Sequence, residues 1–249
     1  MNIKISIITV TYNSEETIRE TLESVHGQSY SDIEHIIIDC CSNDRTLDIV
    51  KDFPVNKIVS EPDRGIYDAM NKGINYATGD VIGFLNSDDV FEDKESIKKI
   101  ANEFKNENQL DIVYGNLVLV SNKNLNKIVR YKKSKPYQPH AIFNGWLAPH
   151  PTLYVKADRL RELNGFNIKY KIAGDFELMI RLFEVEKLNS KYINKTLARL
   201  RLGGISTDIR NIIASNLEAL DACKLNGYKG GLFFIIKKLI SRIPEFFNK

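Results

Sequence analysis

The apolar positions of this chain follow two periods, one of strands and one of helices. Residues 5–10 (ISIITV) form an unbroken, β-branched run, the pattern of a strand covered on both faces. Asn13 and Glu16 stand three apart, as in a capping box, and predict a helix with Ile18, Leu22 and Val25 on one face. Gly27 is its stop. HIIID (35–39) predicts a second strand, SNDRT opens a second helix bearing Leu47 and Val50, and residues 57–60 predict a short third strand. Met70, Ile74 and Ala77 mark a third helix that ends by Gly79, and VIGFL (81–85) predicts a fourth strand. Strand, helix and strand in repetition imply right-handed crossovers and a parallel sheet, so the class is α/β. Ligands of such sheets bind beyond the carboxyl ends of the strands. Residues 11–13, Asp39 and residues 86–89 all lie at those ends and converge on one crevice.

The second half is less regular. Residues 111–120 (DIVYGNLVLV) predict a strand, followed by a polar, basic stretch to about Pro139. HPTLYVK (150–156) predicts another strand. Gly174 and Asp175 lead into a helix, FELMIRLFEVEK. RLGGIST (201–207) reads as a Gly-bearing loop, and residues 208–226 predict a helix. No repeat or low-complexity segment stands out.

Composition narrows the class without naming a function. The 249 residues are 43% hydrophobic and 27% charged, ordinary for a globular protein. A net charge of +3 with no aromatic-interleaved basic run gives no case for nucleic acid. The N-terminus enters a strand pattern directly, so no signal peptide is expected, and no apolar run is long enough for a spanning helix. Three cysteines, Cys40, Cys41 and Cys223, fit neither a disulfide framework nor zinc and suggest a reducing cytosol.

The candidate chemistry sits at the strand ends. FLNSDD (84–89) stops a buried strand at two adjacent carboxylates, Asp88 and Asp89. A solvated turn accounts for such a pair, since Asp and Asn favour turns. In a ligand crevice the pair also suits Mg²⁺ or Mn²⁺, which take few protein oxygens and complete their shell with substrate phosphates. Asp39 reads either as a turn or helix-cap residue or as an acceptor for a nucleotide base or ribose. TYNSEE follows the first strand where a dinucleotide fold carries GxGxxG, so no Gly-rich loop holds phosphates here. His150, in PHPTLY, reads as structural or as a metal or acceptor contact. Trp146, the single Trp, reads as a packing residue or as a platform for a sugar face.

Five blocks in order resemble the family 2 glycosyltransferases of the GT-A fold. They are TVTYN, IDCCSNDRT, EPDRGIYDAMNKGI, FLNSDD and AGDFELMIRL, and the resemblance spans residues 3 to about 185. It implies a Rossmann-like, mostly parallel central sheet flanked by helices, with a C-terminal helical extension. It implies transfer of a sugar, with inversion, from a nucleotide-sugar, a UDP-sugar foremost, using Mn²⁺ or Mg²⁺. Carried over residue by residue, Thr9, Tyr12 and Asp39 would hold the base, and Asp63, Asp68 and Asn71 would line the donor block. Asn86 and Ser87 would face the donor, with Asn86 accepting from a ribose hydroxyl. Asp88, with Asp89 beside it, would take the metal role of the DxD motif. Asp175 would be the general base. The chain departs from the pattern at Asn86, a poor metal ligand, at Gly174 where Glu is common, and at Met70 where Arg is common. Arg64 and Lys72 are the substitutes for a basic diphosphate partner. QxxRW, the mark of processive synthases, is missing, which points to a single addition.

The tail adds a separate feature. In GLFFIIKKLISRIPEFFNK (231–249) Leu232, Ile235, Ile236, Leu239, Ile240 and Ile243 share one helical face, and Lys237, Lys238, Ser241 and Arg242 share the other. The pattern fits a helix packed on the enzyme or one lying on an anionic membrane. The expected division is therefore a catalytic domain over 1–207 and a helical, membrane-associating segment over 208–249. The expected activity is single-sugar transfer to a saccharide acceptor, probed first as lipid-linked, in surface polysaccharide synthesis at the cytoplasmic face of the membrane. A sugar nucleotidyltransferase and a catalytically inactive nucleotide-sugar-binding relative are the alternatives.

Overall fold

The computed structural model describes residues 2–203 and 209–228. The amphipathic tail 231–249 lies outside the described residues, as does most of the RLGGIST loop. The first half follows the sequence pattern. Strand β1 (Ile5–Thr11) is buried at all seven positions and lies between β2 (Ile33–Asp39) and β4 (Val81–Phe84). Outside β2 runs β3 (Lys57–Ser60), and all three pairings are parallel. Helices α1 (Ile18–His26), α2 (Thr46–Lys51) and α3 (Ile66–Tyr76) supply the crossovers. Ile18, Thr21, Leu22 and Val25 of α1 are buried, as the spacing predicts.

Beyond β4 the sheet becomes mixed. Its order is β3-β2-β1-β4-β8-β6-β9-β5, with β7 added to β6. The further strands are β5 (Val90–Phe91), β6 (Ile112–Ser121), β7 (Asn124–Lys132), β8 (Tyr154–Lys156) and β9 (Ser190–Arg201). Strand β8 runs antiparallel to both β4 and β6, while β9 runs parallel to β6. Helices α4 (Ser96–Asn106), α5 (Ala157–Glu162), α6 (Gly174–Met179) and α7 (Ile209–Leu225) complete the layers. One π-helical turn, Ile180–Val185, continues α6. Ala219, Ala222 and Cys223 of α7 are buried in the main core cluster with Phe176 and Phe183.

Four local expectations change. The Asn13–Glu16 box does not cap α1, which starts after Thr17 without a side-chain cap. Asn13 instead takes a left-handed φ of 48° and turns its amide toward Asn43. The strand expected over 150–156 begins only at Tyr154, because His150–Thr152 form a 3₁₀ turn around Pro151. The polar stretch after residue 120 contains β7, an edge strand that hides no apolar face and so shows no alternation. Helix α4 carries Ile97, Ile100, Ala101 and Phe104 on its buried face, a helical spacing that was present in the sequence.

Candidate functional site

The carboxyl ends of β1 and β2 form the floor of the crevice. Tyr12 stands there 60% exposed. Asn13 accepts from the Asn43 N–H at 2.9 Å and donates its own N–H to Ser42 Oγ at 2.8 Å, so the two loops brace each other. Asp39 is fully buried. It accepts from the Ser42 N–H at 3.0 Å, from the Ser42 hydroxyl, and from the Ser60 hydroxyl at 2.6 Å. This carboxylate ties β2, its loop and β3 together, which fits the turn reading. Three donors occupy most of its acceptor capacity, two on Oδ2 and one on Oδ1. Thr9 lies two residues inside β1, fully buried, with Oγ1 3.0 Å from His35 Nε2. It does not reach the crevice. Of the three residues expected at the base, Tyr12 alone is exposed there.

The segment after β4 is a tight turn. The Asp89 N–H donates to the Asn86 carbonyl at 3.1 Å, and Ser87 Oγ lies 2.8 Å from Ser14 Oγ in the loop after β1. The turn sends the two acids apart. Asp88 is half-buried, and among the described residues no other residue donates to its carboxylate. Asp89 is fully buried beneath the turn. Its Oδ1 accepts from the Arg201 N–H at 3.4 Å, and its Oδ2 has no partner. Loss of water raises the pKa of Asp88. Burial raises that of Asp89 well above the usual range, and the charge of Asp88 adds to it. The expectation of two carboxylates side by side on one metal is therefore corrected, because Asp89 faces the interior toward β9. Asp88 offers carboxylate oxygens for a divalent cation, and the half-buried Asn86 stands two residues before it. An unneutralised, partly desolvated carboxylate without a protein donor is the chemistry a hard cation fits. No cluster of three or more His, Cys, Asp or Glu suited to a metal occurs among the described residues.

The EPDRG block is held mostly by itself. Asp63 Oδ1 accepts from the Gly65 N–H at 2.8 Å, where Gly65 takes φ 126°. Arg64 pairs with Asp68 at 3.0 Å, and this guanidinium holds the Asp68 carboxyl below its usual range. Lys72 Nζ donates to the Pro62 carbonyl at 2.6 Å and meets Glu61 at 3.1 Å. Asn71 exchanges two hydrogen bonds with the Phe166 backbone, at 2.7 and 2.8 Å, and so joins α3 to the loop before α6. Arg64, well exposed on the surface, is the cation of this block most open to a ligand.

Asp175 occupies the first turn of α6, where its Oδ1 accepts from the Phe176 N–H at 2.7 Å and the Tyr67 hydroxyl lies 3.4 Å away. The same hydroxyl donates to the Ile172 carbonyl at 2.8 Å. Ring contacts run from Tyr67 to Phe166 and from Phe166 to Phe84, each with centroids 5.2 Å apart, so the end of β4 connects to Asp175. His150 stacks on Phe84 at 5.6 Å. Burial lowers its pKa, and the Lys132 charge acts in the same sense while Asp175 opposes both. Trp146 is corrected to a packing residue. Its ring is buried among Tyr114, Tyr137 and Phe183 and presents no open face to a sugar.

Three contributors were not singled out from the sequence. Tyr67 and Phe166 read as ordinary core aromatics. Glu218 of α7 accepts from the N–H groups of Lys171, Ile172 and Ala173, the three residues just before Gly174. Nothing local in the sequence links Glu218 to that loop.

Comparison with known proteins identifies the architecture. The family model described as Glycosyl transferase family 2 matches residues 6–170, well over half of the chain. The chain belongs to this family. A PGL/p-HBAD biosynthesis glycosyltransferase of Mycobacterium tuberculosis is 26% identical to this family 2 glycosyltransferase over 210 residues, covering 82% of this chain and 79% of the relative. The chondroitin synthase of Pasteurella multocida is 29% identical over 217 residues, 84% of this chain but 22% of that protein. Among solved structures, S. aureus TarS 1–349 superposes with a TM-score of 0.71 at 19% identity, covering 97% of this chain and 72% of TarS 1–349. A mannosyltransferase from Pyrobaculum calidifontis, in complex with GDP-Man and Mn²⁺, gives 0.63 at 15% identity, covering 98% and 81%. These superpositions establish the GT-A fold.

Proposed function

We propose that the protein is an inverting glycosyltransferase that moves one sugar from a nucleotide-sugar to a saccharide acceptor. The observation that carries this reading is the contrast between two carboxylates, one in the turn after β4 and one at the start of α6. Asp88 has no donor from another described residue, whereas Asp175 is held at a helix start beside Tyr67. The first suits a cation on the diphosphate; the second suits proton removal. Support for a nucleotide-sugar donor comes from the solved relatives, whose structures include TarS with UDP-GlcNAc and a mannosyltransferase with GDP-Man and Mn²⁺. A UDP-sugar is the first donor to test.

Asp88 would hold Mn²⁺ or Mg²⁺ together with substrate phosphates and water, and the bound ion would neutralise charge growing on the leaving diphosphate, while Asn86 would accept from a ribose hydroxyl. Tyr12 would cover the base, and Arg64 would face the phosphates. Asp175 would take the proton of the acceptor hydroxyl as it attacks, a contribution of roughly 10²–10⁴-fold for a well-placed base. His150, neutral in its aromatic setting, would contact the acceptor. The acceptor is proposed to be lipid-linked, in surface polysaccharide assembly, with residues 1–207 as the catalytic domain and the basic tail against the inner membrane face. No helix among the described residues is long and apolar enough to cross a membrane.

A thermal-shift screen of UDP-, GDP- and dTDP-sugars with and without Mn²⁺ tests the donor. Proton NMR of the first product from the best donor tests the stereochemistry. Inverted anomeric configuration is expected. Retention would overturn the single-displacement mechanism, and release of inorganic pyrophosphate would mark a nucleotidyltransferase instead.

A further inference from the structure

Residues 112–157 hold seven Lys or Arg and no Asp or Glu, while the whole chain is only +3. The rest of the protein is therefore net negative. Six of the seven cations, Lys123 to Lys135, fall on β7 and the turns at its two ends. Among the described residues β7 pairs with β6 alone, so its other edge is open. Lys123, Lys127, Lys133 and Lys135 are exposed, and none of the four meets a carboxylate among the described residues. Between them Ile128, Val129 and Tyr131 are 37%, 43% and 41% exposed.

Lysines on an edge strand guard against edge-to-edge pairing. That purpose gains nothing from three large apolar side chains exposed in the same short stretch. A hydrated polyanion is likewise recognised by cations alone. Cations interleaved with aliphatic and aromatic groups match an anionic lipid interface, where charge meets the headgroups and apolar groups enter the acyl boundary. The strand is also close to the chemistry. Just past its end the Ser134 N–H donates to Asn116 Oδ1 on β6 at 2.8 Å, and the adjacent Gly115 N–H donates to Thr152 Oγ1 at 3.2 Å, two residues from His150, which stacks on Phe84.

We propose that β7 is an edge by which the protein docks on an anionic bilayer. Docking there holds the transfer crevice at the lipid surface, so the inference deepens, and rests on, the proposal of a lipid-linked acceptor. It is separate from any attachment through the tail.

The test is co-sedimentation of the full-length protein with vesicles of phosphatidylcholine alone or mixed with phosphatidylglycerol, at low and high salt. Wild-type protein is expected to sediment with the anionic vesicles only, and less at high salt. A variant combining Lys123→Glu, Lys127→Glu, Lys133→Glu and Lys135→Glu should partition about a hundredfold more weakly or worse. Ile128→Ser with Val129→Ser should weaken it by about tenfold without changing the charge. UDP binding, measured by calorimetry, should be the same in all three, which also shows that the variants fold. Unchanged sedimentation of the lysine variant would overturn the proposal and leave the attachment to the tail. Competition by soluble polyphosphate, with the Ile128 and Val129 changes silent, would overturn it in favour of a polyanion site. Transfer to a soluble acceptor by wild type and variants alike would leave the enzymatic reading standing whichever way the vesicles behave.

Discussion

Glu218 on α7 accepts a hydrogen bond from the Ala173 N–H at 2.8 Å, two residues before Asp175. The same carboxylate takes the N–H groups of Lys171 and Ile172 at 2.9 to 3.2 Å. Three converging donors make a small anion site, and α7 fills it with its own side chain. The segment that enters α6 is thereby fixed from a helix more than forty residues further along. Glu218→Gln replaces a charged acceptor by a neutral one and adds a donor that faces other donors. Hydrogen bonds to charged groups contribute about 1.5–3 kcal/mol, so a loss of a few degrees in Tm is expected. Because the loop carries Asp175, kcat should also fall by about tenfold, while the donor Kd stays unchanged. Asp221→Asn, which loosens Lys169 and Tyr170 on the same loop, is the control that should cost stability with little change in kcat. Equal kcat in both variants would reduce Glu218 to a structural anchor.

The adjacent acids after β4 should behave as opposites. Asp88→Ala should abolish the enhancement of UDP binding by Mn²⁺, because Asp88 is the half-buried acid of the turn with no donor from another described residue. Asp89→Asn should keep that enhancement. The folded pKa of Asp89 is raised, so its contribution is favourable when protonated and is lost as pH rises through that raised value. The neutral amide should thus be at least as stable as wild type at pH 7. Calorimetry and urea unfolding of both variants check the pair. Loss of the Mn²⁺ effect in Asp89→Asn would show that the turn reorients to use both carboxylates.

The parallel half of the fold was legible because buried parallel strands leave unbroken apolar runs such as residues 5–10, and their crossover helices repeat at fixed spacing. The edge strand β7 was not, since a strand exposed on both sides writes no period. Residue type and place at a strand end drew attention to the pair Asp88 and Asp89, while Asp175 was singled out through the family resemblance. They were not enough to tell Asp88 from Asp89, because a tight turn sets side-chain direction by its dihedral angles. Thr9 and Asp39 show the same limit from the other side. Their positions read as ligand contacts, and only the structure shows that His35 meets Thr9 and that Ser42 and Ser60 hold the Asp39 carboxylate. Glu218 lay beyond reach because its partners are backbone N–H groups, which leave no mark on residue identity.

Acid should destabilise the fold through β2. His35 is buried between Thr9 and His26, and desolvation pushes its pKa down to about 3 from 6.5. A folded pKa below the unfolded one gives stability that is present above pH 6.5 and is lost as pH falls toward 3. Its neighbour Glu34 is lowered to about 2 by the hydroxyls of Ser6 and Thr78, the Thr78 N–H and Lys4, which outweigh its desolvation. That contribution is lost only below about pH 4.5. Urea unfolding at pH 7 and pH 5 therefore reports the histidines and leaves Glu34 out. Wild type should lose about 2 kcal/mol across that interval, to which His26 adds in the same direction. His35→Gln should be less stable at pH 7 and should lose clearly less than wild type from 7 to 5, the remainder coming from His26 and His150. A wild-type profile equally flat would mean that His35 gains water or a proton in the folded state.

Asp175→Asn should separate binding from chemistry. The amide keeps the shape of the side chain and can still accept from the Phe176 N–H, so α6 should start as before. It cannot take a proton. Donor affinity should stay within about twofold, and transfer should fall by about 10²–10⁴-fold, the range a general base supplies. Gly174→Ala is the companion variant. A Cβ there would lie 2.7 Å from the Tyr67 ring, whose hydroxyl holds the Ile172 carbonyl and approaches Asp175. Tyr67 must therefore move, and with it the setting of Asp175, the proposed base. Gly174→Ala should lower kcat while leaving donor Kd near wild type, and Tyr67→Ala made in the same chain should relieve the clash without restoring full rate. Measured with the acceptor that gives wild-type turnover, substantial transfer by Asp175→Asn would remove the base from this position. In that case the effect of Gly174→Ala would have to be read as structural, through the ring contact of Tyr67 with Phe166 and its hydrogen bond to the Ile172 carbonyl.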